Sequence, residues 1–346
     1  GIASQTSLFC SPMETPSATI ESTVHGGRTA EIRALISKAK SHIGDGVFFA
    51  VCALAALVIV MIIGGLIVQL VASSQPTINK FGTKFLSSKV WDPVNEEYGA
   101  ATFIYGTVVS SLLGLLMALP LSLGIAVFLV EVAGQTMRTI LSFLVETLAA
   151  IPSIVYGVWG VFVMVPFLQE HVAIPLSETL GVSIPFFAGP AMGPSMLSAS
   201  CILIVMILPI ITSISRDVML AIPMTQREAA LALGSTKWES IKIVIANARW
   251  GILGAVILGL GRALGETMAV TLVIGNSPQI SASILQPAYT MASVIANEFT
   301  EATSETYTSA LIEVGLVLLV TTFVVNMLAR LLVWSVARRT ATGGRQ

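Results

Sequence analysis

"PMTQREAALALGSTKWESIKIVIANARWG" (Pro223–Gly251) sets Arg227, Glu228, Lys237, Glu239, Lys242 and Arg249 between two long apolar runs. Upstream, residues 195–215 carry no charge; downstream, residues 250–261 carry none. With its flanks each run supplies the ~20 helical residues that cross a hydrocarbon core, so the charged island between them must be a polar connection between two spans. Similar runs occupy residues 46–72, 98–130, most of 139–168, and 314–329. The expected fold is therefore all-α, a polytopic membrane protein with six transmembrane helices. Pro120 and Pro152 fall inside the second and third runs, where neighbouring helices can satisfy a freed carbonyl. Composition agrees: 55% of the 346 residues are hydrophobic and 11% charged, against roughly a quarter charged in ordinary soluble domains.

Net charge is −1, so no basic excess suggests nucleic acid, and the placement of charge carries more than its sum. Arg28, Arg33, Lys38 and Lys40 precede the first span, Arg138 lies between the second and third, the quoted island joins the fourth and fifth, and Arg330, Arg338, Arg339 and Arg345 follow the sixth. Those segments all fall on one side. The opposite loops hold Lys80, Lys84 and Lys89, then no Lys or Arg in 169–194 or 276–307. The positive-inside rule puts both termini in the cytoplasm. Cys10, Cys52 and Cys201 are far apart, and His25, His42 and His171 show no ligand spacing, so neither a disulfide framework nor a metal site is expected.

Within the island, Thr225 with Glu228 and Thr236 with Glu239 each form a T-x-x-E capping pattern, and Gly234 can end the first helix in a left-handed turn. A helix, glycine turn, helix unit is expected. In the fifth span, "GLGRALGETMAV" (Gly259–Val270) sets Arg262 and Glu266 one helical turn apart, and Arg262 lies about 12 residues, roughly 18 Å, beyond Trp250. An unpaired charge near mid-membrane costs at least about 2.5–3.5 kcal/mol, so such residues usually face a bundle interior or a wet path. Arginine suits an oxyanion because its fork matches phosphate geometry and stays protonated; a nearby glutamate keeps binding releasable. The alternative is an ion pair that only fixes packing, with Glu146 of the third span as a further partner. Gly261 and Gly265 form a GxxxG, and Gly251, Ala255, Gly259 and Ala263 a second small-residue row, both suited to close helix approach. GxGxxG would need glycine at Leu264, and a phosphate-cradling P-loop would need glycine at Leu260 and lysine at Glu266, so the chain has no nucleotide motif of its own.

"EAALALG" (Glu228–Gly234) resembles the E-A-A-x-x-x-G signature of ABC-importer permeases, although the Leu-Pro that ends the family pattern is replaced by Ala246-Asn247. Together with "FIYGTVVSSLLGLLMALPLSLGIAVFL" (Phe103–Leu129), "FLVETLAAIPSIVYGVWG" (Phe143–Gly160), "QREAALALGSTKWE" (Gln226–Glu239), "GAVILGLGRALGETMAVTLVIGN" (Gly254–Asn276) and "ASVIANEF" (Ala292–Phe299), it makes residues 98–336 similar to the phosphate-specific ABC permease family of the PstC type. The resemblance implies a type I importer (MetI-like) fold and inward phosphate transport across a bacterial inner membrane. It also implies a heterodimer with a PstA-like permease, two PstB-like ATPase copies that bind the ATP and Mg, and an external PstS-like phosphate-binding protein. No cofactor is expected in the chain itself. Arg262 and Glu266 match the family's charged positions on the path, and Glu228, Ala229, Ala230 and Gly234 its ATPase-coupling helix. Sulfate or molybdate as substrate, or a non-transporting scaffold, are the alternatives. The expected organisation is a disordered cytoplasmic tail (1–43), first transmembrane helix and external loop (44–97), permease core (98–338) with its coupling loop at 223–249, and a cytoplasmic tail (339–346). The "TMASVIANEF" stretch (Thr290–Phe299) is expected as a short helix at the outer surface.

Overall fold

The computed structural model describes residues 43–181 and 184–342. The chain divides into two units, Gly1–Ile67 and Val68–Gln346. Of the first, the described part is the opening stretch of helix α1 (Ile43–Ser73), whose apolar side chains, Phe48, Phe49 and Ile59 among them, are exposed. The expectation for residues 1–43 lies, all but Ile43, outside the described residues.

The second unit runs through α2 (Gln75–Phe81), α3 (Lys84–Ser87), α4 (Ala101–Val132), α5 (Gln135–Ala150), α6 (Ser153–Thr179), α7 (Met196–Leu220), α8 (Met224–Ala232), α9 (Lys237–Leu264), α10 (Met268–Val273), α11 (Met291–Glu298) and α12 (Glu305–Thr342). Among the described residues six helices, α1, α4, α6, α7, α9 and α12, are long and apolar enough to cross a membrane, the number expected. Among the described residues the only strand-like pairings are two isolated bridges.

Helix α7 is the axis of the packing and lies along both α4 and α9. Small residues let it do so. A Cβ on Gly114 of α4 would stand 3.0 Å from Leu203, and one on Gly259 of α9 would stand 2.9 Å from Ile211. Hydroxyls tie the same helices: Ser122 Oγ donates to the Leu208 carbonyl at 3.3 Å and Thr212 Oγ1 to the Ser122 carbonyl at 3.4 Å. Such small and hydroxylic seams replace the hydrophobic drive that lipid removes. At the end of the bundle that carries residues 223–236, hereafter the hairpin end, Ala126, Val130, Met219, Val244, Ala248 and Ile252 form a separate buried cluster.

Two features differ from expectation. The third span is Ser153–Thr179, not 139–168, because Pro152 disfavours helix at the residue before it: Ile151 is extended (φ −68°, ψ 130°) and ends α5 as a separate amphipathic helix. Pro152 therefore breaks a helix rather than kinking one. Helix α11 reaches the surface only with its second half: Met291, Ala292, Ser293 and Val294 are buried, whereas Ala296 is exposed. Gly106 of α4 permits this, since a Cβ there would clash with the Tyr289 carbonyl, and the Met291 amide donates to Thr107 Oγ1 at 2.9 Å. Helix α12 continues to Thr342.

Candidate functional site

The fifth span does not carry Arg262 and Glu266 on one continuous helix. Helix α9 ends at Leu264; Gly265 (φ −94°, ψ 4°) and Thr267 (φ −110°, ψ −63°) break it, and α10 restarts at Met268. No proline marks the break. Instead Glu266 takes over the role of a cap, its Oε1 accepting the Ala269 amide at 3.3 Å, which suits a carboxylate at a helix start. Arg262 thus stands in the last turn of one helix and Glu266 at the entrance of the next. Their closest approach, Nη2 to Oε2, is 3.8 Å, an ion pair beyond hydrogen-bond length. The two are unequally placed: the Arg262 side chain is 42% exposed and that of Glu266 5%. Among the described residues the guanidinium has no hydrogen bond, so its donor fork is open to a ligand while the carboxylate beneath it is held. Hydroxyls and an amide line the restart: Thr271 Oγ1 donates to Ser293 Oγ at 2.9 Å, and Asn276 Nδ2 donates to the Thr271 carbonyl at 3.0 Å.

The glycines near the pair separate. Gly261 faces the sixth span, where a Cβ would come 3.7 Å from the Asn326 side chain. Gly265, read from the sequence as a packing residue, is exposed in the break, and a Cβ there would meet only the carbonyl of Gly261. The close helix contact belongs to the other small-residue row, Gly251 against Val218 and Gly259 against Ile211. Glu146, expected as a further partner of the pair, is elsewhere: its Oε1 accepts from Arg216 Nη2 at 3.0 Å, at the hairpin end. The broken helix at 151–152 is the reason, since it places residue 146 on α5 rather than in a span.

The hairpin between α7 and α9 has the expected helix, glycine turn, helix form. Gly234 is left-handed (φ +82°), its amide bonds the Leu231 carbonyl and the Ser235 amide the Ala230 carbonyl, the pairing that closes a helix C-terminus. At the start of α9, Thr236 and Glu239 form a complete capping box. At the start of α8 they have no counterpart: Pro223 is the N-cap, Thr225 lies inside the helix, and no side chain caps it, so the first T-x-x-E is not realised. Glu228 and Ala229 are exposed, and Ala230 is buried. Where the family pattern would have Leu-Pro, α9 runs unbroken, and Asn247 Nδ2 donates to Gln226 Oε1 at 2.8 Å.

Several structured charges have no counterpart in the sequence reading. Arg138 donates through Nε and Nη2 to the Leu129 and Val130 carbonyls, each at 2.7 Å, closing the end of α4. Arg227 pairs with Glu131 across 96 positions of sequence. Glu313, buried in α12 with its Oε2 unpartnered, stands one residue before the run at 314–329; an acid at the head of an apolar run was the available signal. At the opposite end, Glu298 accepts from Trp91 Nε1 at 2.7 Å and Tyr307 OH at 2.6 Å, within a cluster of rings that includes Tyr98 and Phe103. In the adjoining loop the Asn95 side chain, then the Asn95 and Val94 amides, hold the Asp92 carboxyl below its usual range.

Residues 110–340 match the family described as binding-protein-dependent transport system inner membrane component. The chain is 46% identical to the phosphate transport system permease protein PstC of Mesorhizobium japonicum over 86% of this chain and 92% of that protein. It is 43% identical to the PstC of Haemophilus influenzae, over 84% and 93% of the two chains. A probable phosphate transport system permease protein PstC of Methanocaldococcus jannaschii is 36% identical over 87% and 95%.

Proposed function

The chain belongs to the family of binding-protein-dependent transport system inner membrane components, and we propose that within it this protein is the permease subunit of an ABC importer that moves inorganic phosphate inward. The observation that carries the reading is the break in the fifth span, where Arg262 offers an unbonded, half-exposed guanidinium above a buried Glu266. An oxyanion can take two parallel N–H donors from one edge of such a group, and the neighbouring carboxylate, 3.8 Å away, competes for them and favours release.

In this reading both termini and the hairpin face the cytoplasm of a bacterial-type cell. Hydrolysis comes from a PstB-like ATPase dimer, which holds ATP and Mg and seats the exposed face of α8 (Glu228, Ala229, with Gly234 ending the helix). A PstA-like permease completes the pore and a PstS-like protein delivers phosphate from outside. The chain itself catalyses no reaction and holds no cofactor. Closure of the ATPase dimer pushes α8 and alternates access to the site, a rigid-body switch of packed helices.

The test is reconstitution of the complex in vesicles. Phosphate should raise ATP hydrolysis only when the binding protein is present, and excess sulfate or molybdate should not compete with phosphate uptake. Arg262→Gln should cut uptake at least tenfold with assembly intact; undiminished uptake would leave the pair a packing device.

A further inference from the structure

Arg227 precedes Glu228 in the exposed helix α8, yet its side chain is only 11% exposed. Each of its nitrogens has a fixed acceptor. Nε donates to Glu131 Oε1 at 3.0 Å, Nη1 to the Ile222 carbonyl at 2.9 Å and Nη2 to the Met219 carbonyl at 2.9 Å. Glu131, 14% exposed, lies in the π-helical segment that ends α4. Met219 lies in the last turn of α7, and Ile222 just beyond it. One rigid, planar cation therefore ties α8 to the ends of the second and fourth spans in three directions. Met219, one of the residues it bonds, belongs to the buried cluster with Val130 and Val244, while a cavity of about 560 Å³ lined by Glu131, Arg227 and Trp238 opens beside the tie. The Asn247 to Gln226 bond, which joins α8 to the fifth span, is exposed and neutral and so far easier for water to replace.

We infer that Arg227, held by Glu131, is the positioning residue through which a displacement of α8 reaches the second and fourth spans. This rests on the reading that a partner ATPase seats on α8. A purely structural role would lower the amount of complex and leave the behaviour of each assembled complex unchanged. A transmitting role changes the ratio of transport to hydrolysis.

The experiment measures phosphate uptake and ATP hydrolysis per assembled complex in vesicles for wild type, Arg227→Gln and Glu131→Gln. The expected result is hydrolysis within about twofold of wild type in both variants. Uptake should fall at least tenfold for Arg227→Gln and severalfold for Glu131→Gln, which keeps the arginine and its two carbonyl bonds. Uptake and hydrolysis that fall together, or that both persist, would overturn the inference. If Arg227→Gln does not assemble, Glu131→Gln decides it by the same ratio. If the wild-type complex hydrolyses ATP but moves no phosphate, the substrate reading fails while the tie remains testable. Spin labels at exposed Leu233 and Met192, in a background with Cys10, Cys52 and Cys201 replaced by alanine, should then show an ATP-driven distance change that Arg227→Gln abolishes; an equal change in both overturns it.

Discussion

At the scale of single residues, the glycines of this bundle differ in what a methyl group would meet. A Cβ on Gly106 would collide with the backbone carbonyl of Tyr289, which cannot swing aside as a side chain can. Gly106→Ala should therefore destabilise the protein by about 3 kcal/mol, read as a fall in the melting temperature of the purified protein in detergent. Gly261 is the contrasting case. Its nearest neighbour would be 3.7 Å away, so Gly261→Ala should raise stability by about 0.5–1 kcal/mol in the same assay through the lower backbone entropy of alanine. Gly234 has open space around it but a φ of +82°, so Gly234→Ala should cost about 1 kcal/mol from conformation alone, and asparagine less.

At the scale of elements, the two T-x-x-E patterns give a controlled pair. Thr236→Ala should reduce stability by about 1 kcal/mol, since it removes a cap that the Glu239 amide uses, whereas Thr225→Ala should leave the start of α8 unchanged. Amide hydrogen exchange at residues 236–240 against residues 224–228 reads the difference. The pair also shows what was legible beforehand. Spans are written locally in hydropathy, and their number was readable, although the third begins at Ser153 and not at 139; the left-handed turn at Gly234 was readable because it too is local. The break after Leu264 was not, because "GET" carries no proline and the glycine fits packing as well as termination. Glu146 was misplaced because its partner depends on where the helix through Pro152 breaks. Arg227 was out of reach: its acceptors on α4 and α7 become neighbours only once three helices are assembled.

At the scale of the whole molecule, orientation is open to direct test. Val94 and Leu233 are both about 90% exposed, in the loop before α4 and at the end of α8. With a membrane-impermeant thiol reagent on intact cells, Val94→Cys should label and Leu233→Cys should label only after permeabilisation; the reverse pattern would invert the topology. The unbroken helix α9 then acquires a mechanical meaning. Because no Leu-Pro interrupts it, 28 residues from Lys237 to Leu264 form one rod about 42 Å long, with the hairpin at one end and Arg262 near the other. A lever of that length magnifies small angles: a tilt of about 5° at the hairpin would carry the far end roughly 3.5 Å. That is comparable with the 3.8 Å now separating Arg262 from Glu266, so a modest swing of one stiff rod would move Arg262 by about the length of the ion pair.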